Sequence, residues 1–188
     1  MKKERGYPKA IVTPKGERAI QNGHPWVYGA EVLPQSAPLP DGELADEVRP
    51  SGRYLGTGLV CLASKIRVRL ISRNANDTFD PAFWERRLRY AVDYRRTVMG
   101  DQFGCCRLIF GEADSFPGLT VDRFGDILVT QTLSLGMDRL KPLLFPLLCR
   151  VLAEGGEEIR GVYERNDAAI RQLEGLPQGK GVFPVPGL

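Results

Sequence analysis

The sequence predicts an α+β chain, with a β-rich N-terminal module followed by a small mixed α/β module. Three observations lead there. Proline and glycine interrupt residues 9–72 too often for long helices. Asp80-Pro81 then opens a long amphipathic stretch. Beyond residue 100, short β segments alternate with one apolar stretch at helical spacing. At about 100 to 200 residues per domain, 188 residues suit one domain or two small ones, each able to bury a core.

The first module reads as short β segments at Lys9-Ala-Ile-Val12, 43–48, 54–62 and 65–71, with room for a turn or two of helix at 16–22. Pro34, Pro38, Pro40, Asp41-Gly42, Pro50 and Ser51-Gly52 separate them, which suggests a small β-barrel or a sandwich-like module. In the segment 65–70, Ile66, Val68 and Leu70 alternate with Lys65, Arg67 and Arg69. A strand with that period has one apolar and one cationic face.

Asp80 is a natural N-cap and Pro81 suits a first turn, so a helix is predicted to about Met99, ended by Gly100. Trp84, Leu88, Ala91, Val92 and Met99 lie near one stripe, with Arg86, Arg89, Asp93 and Arg96 largely opposite. Strands are expected at 107–110, 119–123 and 127–132, the last two joined as a hairpin through Phe124-Gly125-Asp126. Residues 137–153 have helical spacing, although Pro146 should kink that helix or delay its start. A strand at 161–164 and a short helix at 166–173 capped by Asn166 follow. Residues 177–188, with three prolines and three glycines, read as a connector.

The net charge of +3 is unevenly spread: residues 1–72 carry +4, 73–100 carry +2 and 101–188 carry −3. A basic first half suggests a polyanionic partner, although a solvated surface has the same signature. No apolar run approaches the roughly 18 to 20 residues of a membrane span, and the start, Met1-Lys-Lys-Glu-Arg5, leads into no apolar signal segment. The cysteines at 61, 105, 106 and 149 form no CxxC pair or regular framework. Reduced thiols in a cytoplasm fit best, and no metal site is expected.

The motifs that could carry chemistry mostly have structural readings. His24 is the one histidine, so a triad has a single base, set between Gly23 and Pro25. Gly56-Thr-Gly58 lacks the third glycine and the following helix of a dinucleotide loop, and reads as a tight turn or a close backbone approach. Cys105-Cys106 could be a nucleophile pair, but it flanks an apolar strand with no histidine near in sequence. Gly111-Glu-Ala-Asp114 and Asp122 have the look of turn chemistry. No catalytic, cofactor-binding or metal-ligating residue is assigned. The best binding candidates are Lys65, Arg67 and Arg69, with Arg53 on a nearby segment, because cations on one strand face can follow a phosphate backbone.

Six strings in order carry a resemblance across essentially the whole chain. They are His24-Pro-Trp-Val-Tyr-Gly-Ala30, Tyr54-Leu-Gly-Thr-Gly58, Ser64-Lys-Ile-Arg-Val-Arg69, Phe83-Trp-Glu-Arg-Arg-Leu88, Gly111-Glu-Ala-Asp-Ser-Phe-Pro-Gly-Leu-Thr-Val-Asp-Arg-Phe-Gly125 and Tyr163-Glu-Arg-Asn-Asp-Ala-Ala169. Together they resemble the large-subunit 23S rRNA cytosine-5 methyltransferase I family. The resemblance implies an N-terminal PUA-like β pseudo-barrel that binds RNA at 1–73 and a small mixed α/β domain at 74–176. Residues 177–188 would connect to a methyltransferase domain. In the family, S-adenosylmethionine and the nucleophilic cysteine belong to that third domain, so no complete Rossmann-like methyltransferase domain is expected here and the chain alone should be inactive. RNA, in the family 23S rRNA, is the expected partner, a second copy of the chain is compatible, and no membrane is implied. The chain would be an N-terminal fragment that positions rRNA, or a stand-alone, non-enzymatic PUA-type protein for RNA binding or partner docking.

Overall fold

The computed structural model describes residues 5–34 and 37–187. Met1 to Glu4, at the charged start, and Leu188, at the end of the expected connector, lie outside them. The chain divides into two compact units, residues 1–76 and 77–188.

The first unit contains β1 (Lys9–Ile11), α1 (Pro14–Gln21), β2 (Trp26–Tyr28), β3 (Leu44–Val48), β4 (Tyr54–Val60) and β5 (Ile66–Ser72). One sheet takes the order β1-β3-β4-β5-β2, antiparallel except for β1 beside β3. Thr13 caps α1 by accepting the Gly16 N–H at 3.2 Å, and Pro14 occupies the first turn. The side chains alternate as the pattern predicts: Val68 and Leu70 of β5 join Ala10, Val12, Ile20, Val27, Ala45 and Val60 in a core. Gly58 is required where β4 crosses β5. A Cβ there would overlap the Arg69 carbonyl and come within 2.7 Å of Val68 Cγ1.

Glu47 shares that inner side. Its carboxylate is fully buried and neither oxygen has a hydrogen-bond partner. Burial, with Asp46 adjacent, raises its pKa to about 8, so it is largely neutral at pH 7.

The second unit contains α2 (Pro81–Met99), β6 (Cys105–Phe110), β7 (Leu119–Phe124), β8 (Ile127–Thr132), α3 (Leu135–Glu154), β9 (Gly161–Asn166) and β10 (Gly179–Phe183). Its sheet runs β10-β9-β8-β7-β6, with only β8 and β9 parallel, and α3 supplies the crossover between them. Asp80 caps α2 through the Phe83 N–H at 2.9 Å. Phe83, Trp84, Leu88, Ala91 and Val92 are its buried stripe, and Trp84 packs near Phe116 with ring centroids 5.9 Å apart. Helices α2 and α3 pack on each other and on the sheet, leaving the opposite sheet face open.

Three local expectations change. Helix α3 begins at Leu135 and runs through both Pro142 and Pro146. Seven buried apolar residues from Leu144 to Leu152 hold it where the prolines remove backbone donors. Asn166 caps no helix: it ends β9, buried, and its side chain accepts the Thr132 N–H at 2.9 Å. A 3-10 segment at Ala169–Glu174 follows instead. Within the expected connector, Gly179–Phe183 pairs antiparallel with β9 as an edge strand.

The expected fold class, an α+β chain of a pseudo-barrel and a small mixed domain with no complete Rossmann-like methyltransferase domain, also needs correction. Each unit has a full five-stranded sheet, and the second adds a 19-residue and a 20-residue helix. The sequence pattern hid this because the three-residue strand β2 and the Gly-rich edge strand β10 carry almost no periodic signal.

Candidate nucleic-acid interface

The outer side of β5 and its neighbour β2 brings cations and aromatic rings together. Val27 is buried, so His24, Trp26 and Tyr28 lie on the other side of their segment, with the His24 ring 5.8 Å from Trp26 and 6.2 Å from Tyr28. The His24 Nδ1 accepts the Trp26 N–H at 3.2 Å, which fixes the corner after Gly23. Register places Trp26 opposite Arg69, Val27 opposite Val68 and, after a bulge, Tyr28 opposite Ile66.

The four predicted cations part company here. Lys65 and Arg67 stand together at the start of β5, Lys65 exposed and Arg67 half-buried. The Arg67 Nη1 donates to the carbonyls of Leu62 at 2.5 Å and Cys61 at 3.3 Å, which fixes the guanidinium. Arg69 points the same way but is only 7% exposed, across from Trp26, so it is a wall of the surface and not a free cation. Arg53 is exposed at the other end of the antiparallel β4–β5 pair, on the order of 20 Å from Lys65 at strand spacing. Arg73, exposed just beyond β5 and near Gly23, is a cation the sequence reading passed over. Among the described residues no carboxylate forms an ion pair with Lys65 or Arg67.

A groove of about 460 Å³ opens at this end, lined by Tyr28, Gly29, Leu62, Ser64, Lys65 and Arg67 among others. The Gly29 N–H donates to the Lys65 carbonyl at 2.9 Å, and the Tyr28 N–H donates to the buried Glu31 at 3.1 Å. These bonds hold the two walls. A Cβ on residue 29 would sit 3.4 Å from Arg67 Nη2, so the glycine keeps that side open. The missed signal was the alternation of rings at 24, 26 and 28, a strand pattern shortened by Pro25.

The other motifs show no comparable arrangement. Gly56 and Gly58 are close-approach glycines within β4. Cys105 is exposed; the half-buried Cys106 donates its thiol to the Phe103 carbonyl, and burial pushes its pKa up, away from a thiolate. Asp114 accepts the Phe110 N–H at 2.7 Å and pairs with Arg95, and Asp122 pairs with Arg107 at 2.7 Å. Among the described residues no cluster of His, Cys, Asp and Glu could hold a metal, and no helix is long and apolar enough to cross a membrane.

Residues 10–73 match the family model of a PUA-like domain. The first unit is PUA-like. Ribosomal RNA large subunit methyltransferase I of Cronobacter sakazakii is 36% identical over 94% of this chain and 43% of its own length. The Klebsiella pneumoniae protein of the same name is 32% identical over 96% and 44%. A solved structure described as a SAM-dependent methyltransferase from Streptococcus mutans aligns with a TM-score of 0.74 at 16% identity, over 96% of this chain and 44% of that one. Another, described as a methyltransferase complexed with SAH, aligns at 0.71 with 18% identity, over 84% and 40%.

The chain thus spans less than half the length of these relatives. The structural alignments, reaching 96% of the chain, overturn the expected fold class: the chain resembles in fold the matching part of a solved structure described as a methyltransferase. The strand-to-helix junction of the second unit is closely packed. There Ser134 Oγ donates to the Pro117 carbonyl at 2.7 Å, and Gly118 approaches Ser134 so closely that a Cβ would meet it at 2.9 Å.

Proposed function

We propose that this chain is the RNA-engaging, N-terminal portion of a SAM-dependent methyltransferase that acts on carbon 5 of a cytosine in 23S rRNA, working in the cytoplasm. The observation that carries the proposal is the β2–β5 face of the PUA-like unit, where Lys65 and Arg67 lie beside Tyr28 with no carboxylate paired to them among the described residues. Unpaired cations attract phosphates and release their counterions, and exposed rings add stacking that every base can accept. The relatives' names supply the kind of RNA. RNA engagement is assigned to residues 1–73, and no step of methyl transfer is assigned to a residue of this chain.

Binding of labelled 23S rRNA fragments across a salt series tests the proposal. Affinity should fall linearly on a log–log plot, and the slope should become shallower in Lys65→Ala/Arg67→Ala. Binding no tighter than that of an unrelated protein of equal net charge, or a slope unchanged in the folded double variant, would remove RNA engagement from this face.

A further inference from the structure

The proposal that this chain engages RNA leaves open what form of RNA the groove accepts, and this inference rests on that proposal. We infer that the groove between Tyr28 and Leu62 takes one unstacked nucleotide, its base on the Tyr28 ring and its phosphate on Lys65 and Arg67.

Size is the first argument. About 460 Å³ lies within the roughly 300 to 1,000 Å³ of small-molecule sites and suits a single nucleotide, not a duplex. Surface chemistry is the second. Tyr28 is 39% and Leu62 44% exposed, so one wall offers an aromatic face and the other an aliphatic one. Bases in a duplex hide their faces against their neighbours, so only an extruded, bulged or single-stranded base presents a face that could enter.

The third argument is the fixed position of the charge. The Arg67 Nη1 is held by two backbone carbonyls, while Nη2 and Nε lie toward Gly29, where a Cβ would come within 3.4 and 3.7 Å of them. That edge is held ready for a phosphate oxygen, and the flexible Lys65 ammonium can reach the same group. The loop beneath is also anchored. The Leu62 N–H donates to Asp41 at 2.7 Å, and Ser64 Oγ accepts the Ile66 N–H at 3.1 Å. A wall so tied needs little ordering when a ligand arrives.

Three hairpins of one sequence test the inference on the 188-residue chain: fully paired, with a single bulged nucleotide, and with an abasic bulge. The bulged hairpin should bind roughly 5- to 100-fold tighter than the other two, the range expected for one stacked base. A 2-aminopurine at the bulge should be quenched on binding to the wild type and to Tyr28→Phe, and should stay bright with Tyr28→Ala. The abasic comparison uses only wild-type protein, so it decides even if Tyr28→Ala does not fold. Equal affinity for all three hairpins overturns the nucleotide groove while RNA engagement stands. Binding to none of them at low salt overturns both.

Discussion

The two units have sheets of the same size and treat charge in opposite ways. On the outer face of the first, Lys65 and Arg67 lie beside Tyr28, and among the described residues no carboxylate forms an ion pair with either. On the open face of the second, register aligns Arg107, Asp122, Val129, Tyr163 and Val182 in one row, and the cations there have carboxylate partners. Arg107 pairs with Asp122 at 2.7 Å, and Arg165 and Lys180 pair with Asp167 at 3.6 and 2.8 Å. Aromatic groups are exposed on both faces, since Phe110, Phe124 and Tyr163 stand out from the second sheet. Exposed rings therefore do not distinguish a polyanion-binding face. The two faces differ instead in whether their cations have carboxylate partners among the described residues.

The contrast is repeated inside. Glu47 of the first unit is buried without a partner, and burial lifts its pKa to about 8. For Asp138 of the second, burial pushes the same way, but the Thr132 hydroxyl at 2.6 Å, Lys141 and Arg171 outweigh it and hold the carboxyl below its usual value. The pH dependences should be opposite. Below pH 4.5 Glu47 is protonated in both folded and unfolded chains, and its contribution is fully present. Between pH 4.5 and about 8 only the unfolded chain ionises, so stability falls with rising pH. The limit is about 1.4 kcal/mol per unit. The contribution of Asp138 is present above pH 3.8 and is lost as pH falls through its lower folded value.

This is the largest effect expected, and each unit has one tryptophan to report it, Trp26 in the first and Trp84 in the second. Urea midpoints followed in Trp84→Phe should show the first unit weakening as pH rises from about 5 to about 8, and those in Trp26→Phe should show the second unit weakening only as pH falls below 3.8. Glu47→Gln should flatten the first unit's drift between about pH 5 and pH 8. A flat wild-type profile there would break the comparison.

The next effect separates glycines that are needed from those that are not. Gly58→Ala forces β4 away from the Arg69 carbonyl and Val68, and should cost about 1 to 3 kcal/mol. Gly181→Ala on the edge strand β10, with nothing within 4 Å of its Cβ position, should stay within about 0.5 kcal/mol of wild type. Denaturant midpoints of the two variants, read by the tryptophan of each unit, check the pair. Equal losses would mean that the β4–β5 approach is not tight.

Much of this arrangement was legible in the sequence, and the reasons for the rest are specific. Asp80-Pro81 announced α2 because capping is local, and Ile127–Thr132 showed as a strand because Ile127, Val129, Thr130 and Thr132 are β-branched. Alternation also placed Arg67 and Arg69 on the outer face of β5. It could not show that Arg69 would be covered, because that depends on Trp26 lying opposite in another strand. Nor could it separate Arg53 from Lys65, since strand pairing decides which ends meet. Asn166 looked like a cap because asparagine caps helices, but a distant backbone donor, Thr132 N–H, takes its side chain.

A third effect falls on binding. Lys65→Ala/Arg67→Ala should weaken rRNA binding about tenfold and make the salt slope shallower by about 0.7 to 0.9, as the loss of the one phosphate they share requires. The matched double variant Arg165→Ala/Lys180→Ala, which removes cations already neutralised by Asp167, should change affinity less than about twofold. Fluorescence anisotropy at two or more salt concentrations measures both. Equal losses would mean that the second unit's face contacts RNA as well, and that pairing does not silence a cation.

The smallest effect runs the other way and tests that principle directly. Asp122→Asn/Asp167→Asn keeps side-chain size but removes the charges that neutralise Arg107, Arg165 and Lys180. The open face of the second unit would then present unpaired cations beside exposed Tyr163, Phe110 and Phe124, the combination that marks the first unit's face. Solvent-exposed pairs are worth only about 0 to 1 kcal/mol, so the fold should survive. Non-specific RNA affinity at low salt should rise about two- to threefold, with a steeper salt slope, because the released cations can each attract a phosphate. The gain should persist in Lys65→Ala/Arg67→Ala, since it arises on a different sheet. If neutralising the two aspartates leaves affinity and slope unchanged, the first unit's preference for RNA comes from the shape of its groove and not from its unpaired charge, and Tyr28, Gly29 and Leu62 become the residues to vary.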